Sequence, residues 1–129
     1  MSHLVKRYQE AERQLVQSDR YDGRDDFTVE LQTFSRAANG PSSPREREDE
    51  DLIRFLKEFQ PWTPECFHFN QKGMAYVSIA LWNNLMEPVG NKTESFRLFT
   101  HRDIKCPTKT APYIFTKKNS INYYKTGSQ

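Results

Sequence analysis

Apolar residues near the start of the chain recur at the spacing of an α-helix. Steps of four, three and four residues separate Leu4, Tyr8, Ala11 and Leu15. Such a spacing places the four side chains on one helix face, with charged residues on the other. The pattern therefore predicts a helix over residues 2–18.

The next apolar stretch fits two patterns. Its residues alternate as in a strand at Phe27, Val29 and Leu31. A helical face over a longer stretch is formed by Phe27, Leu31, Phe34 and Ala38. Because Asn39-Gly40 supplies a common helix stop directly afterwards, we favour a helix over 26–38.

The residues that follow give the clearest helix start in the chain. Residues 39–43 have the composition of a linker, and Ser43, Pro44 and Glu46 form a capping box with proline at the first helical position. The apolar face behind this start consists of Leu52, Ile53, Leu56 and Phe59. These signals predict a helix over 44–59.

The second half of the chain is rich in aromatic and β-branched residues, which favour strands. Residues 66–70 predict a strand, 71–73 a turn and 74–82 the partner strand of a hairpin. A helix over 74–86 competes with that hairpin, because Val77, Leu81 and Leu85 then lie on one face.

Three shorter strands are expected at 96–100, 113–116 and 121–124. Helices in the first half and strands in the second predict an α+β fold. In this fold the N-terminal helices pack on a C-terminal antiparallel sheet. We expect one domain over 1–129, with a flexible tail at 125–129.

Composition supports a folded core. Hydrophobic residues make up only 36% of the 129 residues, but nine Phe, six Tyr and two Trp add large rings to bury. The net charge of +2 is too small to favour disorder. No apolar run approaches the ~18 residues of a membrane span, and no signal peptide pattern opens the chain. We therefore expect a soluble cytoplasmic domain without membrane contact.

Charge is distributed unevenly along the chain. Residues 97–129 contain seven Lys or Arg and one Asp, a balance of +6, whereas residues 1–96 carry −4. Cations interleaved with aromatic rings suit an acidic protein partner, or a single-stranded nucleic acid whose bases stack on the rings. The predicted partner-binding residues are Arg97, Arg102, Lys105, Lys109, Tyr113, Lys117, Lys118, Tyr123, Tyr124 and Lys125.

Both cysteines lie close to a histidine in the sequence. A tetrahedral zinc site could in principle be formed by Cys66, His68, His101 and Cys106. Their spacing does not match the common zinc patterns, and such residues more often serve as ordinary packing residues. Two cysteines are also too few for a secreted disulfide framework. We expect no metal and no cofactor.

Catalytic signals are weak. Cys66 could form a thiolate dyad with His68 or His101, although a buried, inert thiol is the stronger interpretation. His68, His101 and Lys105 could serve in acid–base chemistry on a phosphodiester. Glycine-rich phosphate loops and nucleophile elbows are missing from the sequence.

The sequence alone therefore favours a small non-catalytic binding protein. It would dock on a macromolecular partner through its basic, aromatic-rich C-terminal surface. Accessory and inhibitor proteins of this kind are common in phages and viruses. The alternative is a small nuclease-like or zinc-dependent enzyme centred on His68 and His101.

Overall fold

The computed structural model describes residues 3–36, 60–65, 67–94 and 103–126. Within these residues the helices are α1 (His3–Gln17), α2 (Gln71–Leu85) and α3 (Lys117–Thr126), with a short 3-10 helix at Asp19–Tyr21. Within the described residues there is no β-strand, and an isolated antiparallel bridge joins Trp62 to Phe69. The prediction of an α+β fold with a C-terminal antiparallel sheet is therefore wrong. None of the described helices combines the length and apolar composition that a membrane crossing requires.

Helix α1 lies where the apolar spacing predicts it, within residues 2–18. Arg13 donates hydrogen bonds to Glu10 at 2.8 and 2.5 Å along its charged side, as expected for residues three apart. Its apolar residues Leu4, Tyr8 and Leu15 are exposed, and no residue of the helix is buried. Local spacing thus predicts the helix but not how its apolar face is used.

Helix α2 replaces the turn 71–73 and the second strand 74–82 of the predicted hairpin, in agreement with the competing helical interpretation. The predicted strand 66–70 is wrong over its described residues 67–70, which are irregular apart from the isolated bridge at Phe69. The reason for the helix lies in Asn70, whose extended backbone and side chain cap it. Its Oδ1 accepts a hydrogen bond from the Gly73 amide at 3.0 Å, which satisfies one of the amides left unpaired in a first helical turn. The cap starts a helix where the β-branched residues alone favour a strand.

Helix α3 occupies the predicted strand 121–124, and residues 113–116 before it are irregular. Thr116 and Asn119 form a reciprocal cap. The Thr116 amide donates to Asn119 Oδ1 at 2.7 Å, and the Asn119 amide donates to Thr116 Oγ1 at 3.4 Å. This arrangement is a variant of the capping box with asparagine in the third position. Residues 125 and 126 of the predicted tail belong to α3.

The predicted helix over 26–38 is wrong over its described part, because residues 26–36 form no helix and contain only a hydrogen-bonded turn at 34–36, where the Arg36 amide donates to the Thr33 carbonyl at 2.9 Å. The Thr33 amide donates to Asn84 Oδ1 at 2.9 Å instead of to a helical carbonyl. The predicted linker 39–43, helix 44–59 and strand 96–100 lie outside the described residues.

The end of α2 is buried among polar side chains. Asn84, only 1% exposed, donates hydrogen bonds to Glu87 Oε2 at 2.9 Å and to the Thr93 carbonyl at 3.0 Å. Asn83, also buried, accepts from the Lys105 amide at 2.8 Å. Together with the bond from Thr33, these contacts join the end of α2 to three irregular segments. We call this set the Asn84–Glu87 network.

Candidate functional site

A carboxylate and an imidazole meet just before α2. Glu65 Oε1 lies 2.8 Å from His68 Nδ1, and the side chains are 52% and 69% exposed, respectively. An ionised carboxylate only accepts hydrogen bonds, so Nδ1 carries the shared proton. The second ring nitrogen, Nε2, lies on the opposite side of the ring from Glu65. We refer to these two residues as the Glu65–His68 pair.

The loop that carries the pair is closed by hydrogen bonds between its two sides. The Thr63 amide and the Thr63 hydroxyl each donate to the His68 carbonyl at 2.9 Å. The Asn70 amide donates to the Pro61 carbonyl at 2.9 Å. These bonds hold Thr63 against His68 and Pro61 against Asn70. They close the loop on which Glu65 and His68 meet, although both side chains are exposed.

Aromatic stacking supports the same closure. The rings of Trp62 and Phe69 lie nearly parallel, with centroids 4.5 Å apart and planes at 18°. Stacked rings of this kind add stabilisation beyond the area they bury. Because the two rings belong to opposite sides of the loop, their contact keeps the sides together.

Contacts with the first turn of α2 anchor the loop. Beyond its cap, Asn70 donates through Nδ2 to the Trp62 carbonyl at 3.1 Å and also to that of Gln60. Gly73 is buried against the loop, and a Cβ atom there would lie 2.2 Å from the Pro61 carbonyl oxygen. Only glycine allows so close an approach of the loop to the helix.

The electrostatics of the pair favour an ionised Glu65. Its hydrogen bond with His68, followed by one with the Thr63 side chain, holds the pKa of Glu65 below the ordinary value of 4.5. Phe67, which is 75% exposed, contacts His68 edge-on with ring centroids 4.9 Å apart.

The Glu65–His68 pair has the geometry of a histidine base and the carboxylate that orients it. A carboxylate that binds Nδ1 of a histidine fixes the tautomer in which Nε2 can accept a proton. The same arrangement forms the base and its orienting acid in catalytic triads, which are recognised by geometry rather than by sequence position. Within the described residues, Glu65 is the hydrogen-bonding partner of the His68 ring. A nucleophile for such a triad would have to come from outside them.

Several predicted partner-binding lysines are instead paired within the chain. Lys105 Nζ lies 2.6 Å from Glu87 Oε1, and Lys117 Nζ lies 3.2 Å from Asp22 Oδ1. Lys118 pairs with Asp25. These contacts offset part of the C-terminal positive charge with acidic residues from the N-terminal half.

The other predicted partner-binding residues are dispersed. Tyr123 packs edge-on against Phe115 at 5.1 Å, and the Tyr124 hydroxyl donates to the Val89 carbonyl at 3.5 Å. Exposed positions are occupied by Lys109, Tyr113 and Lys125. Arg97 and Arg102 lie outside the described residues. Binding of a partner by these ten residues stays a prediction.

The four residues of the candidate zinc site are only partly described. Cys66 and His101 lie outside the described residues, and Cys106 is an exposed thiol. No group of three or more His, Cys, Asp or Glu side chains in the described part is arranged to hold a metal ion. His68 has a carboxylate as its observed neighbour.

Glu65 is the site residue that sequence reasoning missed. The signal was a carboxylate three residues before a histidine, within a short segment that begins with a proline and ends at a helix cap. The predicted strand at 66–70 gave no reason to pair Glu65 with His68, because in an extended strand residues three apart point to opposite faces. In the observed loop the two side chains meet.

Comparison with known proteins gives a consistent set of relatives. The chain is 36% identical over 121 residues to the human protein named "Phospholipase B1, membrane-associated". It is 40% identical over 123 residues to the rat protein of that name and 38% identical over 123 residues to the mouse protein. The matches cover 93–94% of this chain but only 8% of each relative. No family model and no solved structure matches the chain.

These relatives overturn the functional prediction from sequence. A small non-catalytic accessory or inhibitor protein was expected, with phages and viruses as a typical source. More than nine tenths of the chain instead resembles mammalian proteins named as lipid-hydrolysing enzymes. The prediction of a nuclease-like or zinc-dependent enzyme is corrected by the same finding. Charge asymmetry misled the interpretation because it is a property of the surface and carries no information about chemistry.

Proposed function

We propose that this chain provides the general base of a phospholipid ester hydrolase. The observation that carries the proposal is the Glu65–His68 hydrogen bond of 2.8 Å in a loop closed by paired bonds. The similarity to phospholipases over most of the chain supports a lipid substrate. The chain spans about 8% of the length of these relatives. A lipid-hydrolysing activity like the one for which the whole relatives are named is therefore itself proposed for this chain.

In this mechanism His68 acts through Nε2. The imidazole takes the proton of an attacking hydroxyl while the hydroxyl oxygen bonds to the ester carbonyl carbon. The same proton then passes to the oxygen of the departing alcohol as the bond between that oxygen and the carbonyl carbon breaks. Glu65 holds the ring in the required tautomer and stabilises the positive charge that forms on it. The attacking hydroxyl belongs to a nucleophile outside the described residues, which then carries the acyl group. Water attacks the same carbonyl carbon while Nε2 takes its proton, and the fatty acid leaves as that proton returns to the oxygen of the nucleophile.

Exposure of the pair suits a substrate that is part of a lipid aggregate. A lipid ester at the surface of a micelle or membrane cannot enter a deep pocket without leaving the aggregate. Glu65 and His68 lie on an exposed loop beside Phe67, itself 75% exposed. An apolar ring next to the base favours contact with acyl chains, because burial of apolar surface is favourable.

The proposal is tested by release of fatty acid from phosphatidylcholine in detergent micelles. Two proteins are assayed: the chain itself, and a chimaera in which it replaces the matching 121-residue segment of the human relative. The chimaera supplies any nucleophile that the chain lacks. We expect His68→Ala to reduce hydrolysis by about a hundredfold or more, the ordinary contribution of a general base.

Matched controls separate chemistry from charge and folding. His3→Ala removes an exposed histidine of α1, and Glu94→Gln removes an exposed carboxylate that pairs with Arg36 at 2.8 Å. Both should retain activity, whereas Glu65→Gln should lose most of it. Hydrolysis by the chimaera that is unaffected by His68→Ala, or no hydrolysis by either protein, would contradict the proposal.

A further inference from the structure

We infer that Thr63 is a positioning residue for the Glu65–His68 pair. The inference rests on the proposed function, because it assigns a role to Thr63 in the same site. Thr63 donates two hydrogen bonds to the backbone of His68, so it holds one member of the pair in place across the loop.

The contacts of Thr63 with His68 fix the distance across the loop. Its amide and its hydroxyl both donate to the His68 carbonyl, each at 2.9 Å. Two donors on one carbonyl oxygen use both of its lone pairs. His68 is thereby held through its backbone on the side of the loop that faces Thr63, and its ring is left to contact Glu65.

The contact with Glu65 concerns its charge. A hydrogen bond from the Thr63 side chain is the second cause, after His68, of the lowered pKa of Glu65. The hydroxyl has a single proton, and it donates that proton to the His68 carbonyl at 2.9 Å. Loss of the hydroxyl should remove one of the two hydrogen bonds to the His68 carbonyl and also raise the pKa of Glu65. A residue with a purely structural role would change only the first.

Threonine is suited to both tasks. The branched Cβ restricts the side-chain rotamer, so the hydroxyl is held in place at little entropic cost. Thr63→Val keeps the shape and the amide donor but removes the hydroxyl. Thr63→Ser keeps the hydroxyl and removes the methyl group. The pair of variants therefore isolates the hydroxyl.

The experiment follows the titration of Glu65 by carbon-13 NMR of its carboxyl group in the full chain. Thr63→Val should raise the pKa of Glu65 toward its ordinary value of 4.5, and Thr63→Ser should restore the low value. The matched control is Thr28→Val, which removes an exposed hydroxyl that donates to Glu30 Oε1 at 2.8 Å. It should leave the pKa of Glu65 unchanged.

Hydrolysis by the same variants separates the two proposals. If the base acts as proposed, Thr63→Val should lower kcat about tenfold with little change in KM, since a small misplacement of a catalytic group is costly. A raised Glu65 pKa combined with activity that is insensitive to His68→Ala would support Thr63 and overturn the proposed function. An unchanged pKa and unchanged kcat in Thr63→Val would overturn the role of Thr63 alone.

A second measurement uses the unaltered chain, in case Thr63→Val does not fold. The side-chain NMR signals of Thr63 should move with the same midpoint as the Glu65 carboxyl group. Thr63 side-chain signals that do not shift as Glu65 titrates would contradict the inference.

Discussion

The two ends of α2 each hold a glutamate with a lowered pKa, but they do so in opposite ways. At the N-terminal end, Glu65 is about half exposed and is paired with His68. At the C-terminal end, Glu87 is buried and accepts hydrogen bonds from Lys105 at 2.6 Å and from the Thr93 amide at 2.6 Å. Burial alone would raise the pKa of Glu87, but these bonds outweigh it and hold the pKa below its ordinary value.

The difference separates a structural carboxylate from a chemical one. Glu87 has its oxygens occupied by partners from several segments, so it joins the chain together and cannot bind anything else. Glu65 has one histidine as its main partner, and that histidine presents its other nitrogen away from the carboxylate. A buried, fully satisfied polar network stabilises one arrangement of the chain, whereas a perturbed, accessible pair is typical of functional sites.

The comparison predicts the largest loss of stability at the buried end. Asn84→Ala removes the acceptor of the Thr33 amide and the donor to Glu87 and Thr93. We expect the free energy of unfolding to fall by about 3 kcal/mol, because buried polar partners are left unsatisfied. Urea unfolding measures this loss. Asn91→Ala, at an exposed position in the loop after α2, should cost less than about 0.5 kcal/mol, and an equal cost at both positions would contradict the account.

A smaller loss is expected at the exposed end from Gly73→Ala. The added methyl group would lie 2.2 Å from the Pro61 carbonyl oxygen and 2.8 Å from Phe69 Cδ1. The loop must move away, at a cost of about 2 kcal/mol to the free energy of unfolding. Its movement should also separate Glu65 from His68. Gly23→Ala, where nothing lies within 4 Å, is the control and should change neither property.

The smallest effect concerns how the free energy of unfolding changes at acid pH. Because the pKa of Glu87 is lowered in the folded chain, the native state binds this proton less tightly than the unfolded chain does. The stabilisation is therefore present above the ordinary carboxyl pKa of 4.5 and is lost as pH falls through the lower native value. We expect Glu87→Gln to flatten the fall in unfolding free energy between neutral pH and about pH 3. An unchanged slope would show that Glu87 is not held in its charged form by the network.

Sequence reasoning succeeded where the signal was local. The spacing of Leu4, Tyr8 and Leu15 predicted α1, and Val77 and Leu85 supported the helical alternative for α2. It failed where a polar side chain decided the structure. Asn70 caps a helix in a segment whose β-branched residues favour a strand. Asn84 accepts the hydrogen bond of the Thr33 amide, which a helix over 26–38 would have used within its own backbone.

The candidate site divides in the same way. The sequence suggested His68 as a candidate zinc ligand, as a partner of Cys66, and as an acid–base residue beside His101 and Lys105. Its partner Glu65 was missed, because the meeting of the two side chains depends on the turn that Thr63 and Asn70 close. Hydrogen bonds across a loop leave no periodic pattern in a sequence.

The most direct test of the central claim is the tautomer of His68 at neutral pH, measured by nitrogen-15 NMR of the imidazole nitrogens. The Glu65–His68 pair predicts that Nδ1 carries the proton and Nε2 does not, and that Glu65→Gln removes this preference. His3, exposed on α1, provides the reference within the same sample. A tautomer distribution for His68 that equals that of His3, or that is insensitive to Glu65→Gln, would contradict the account.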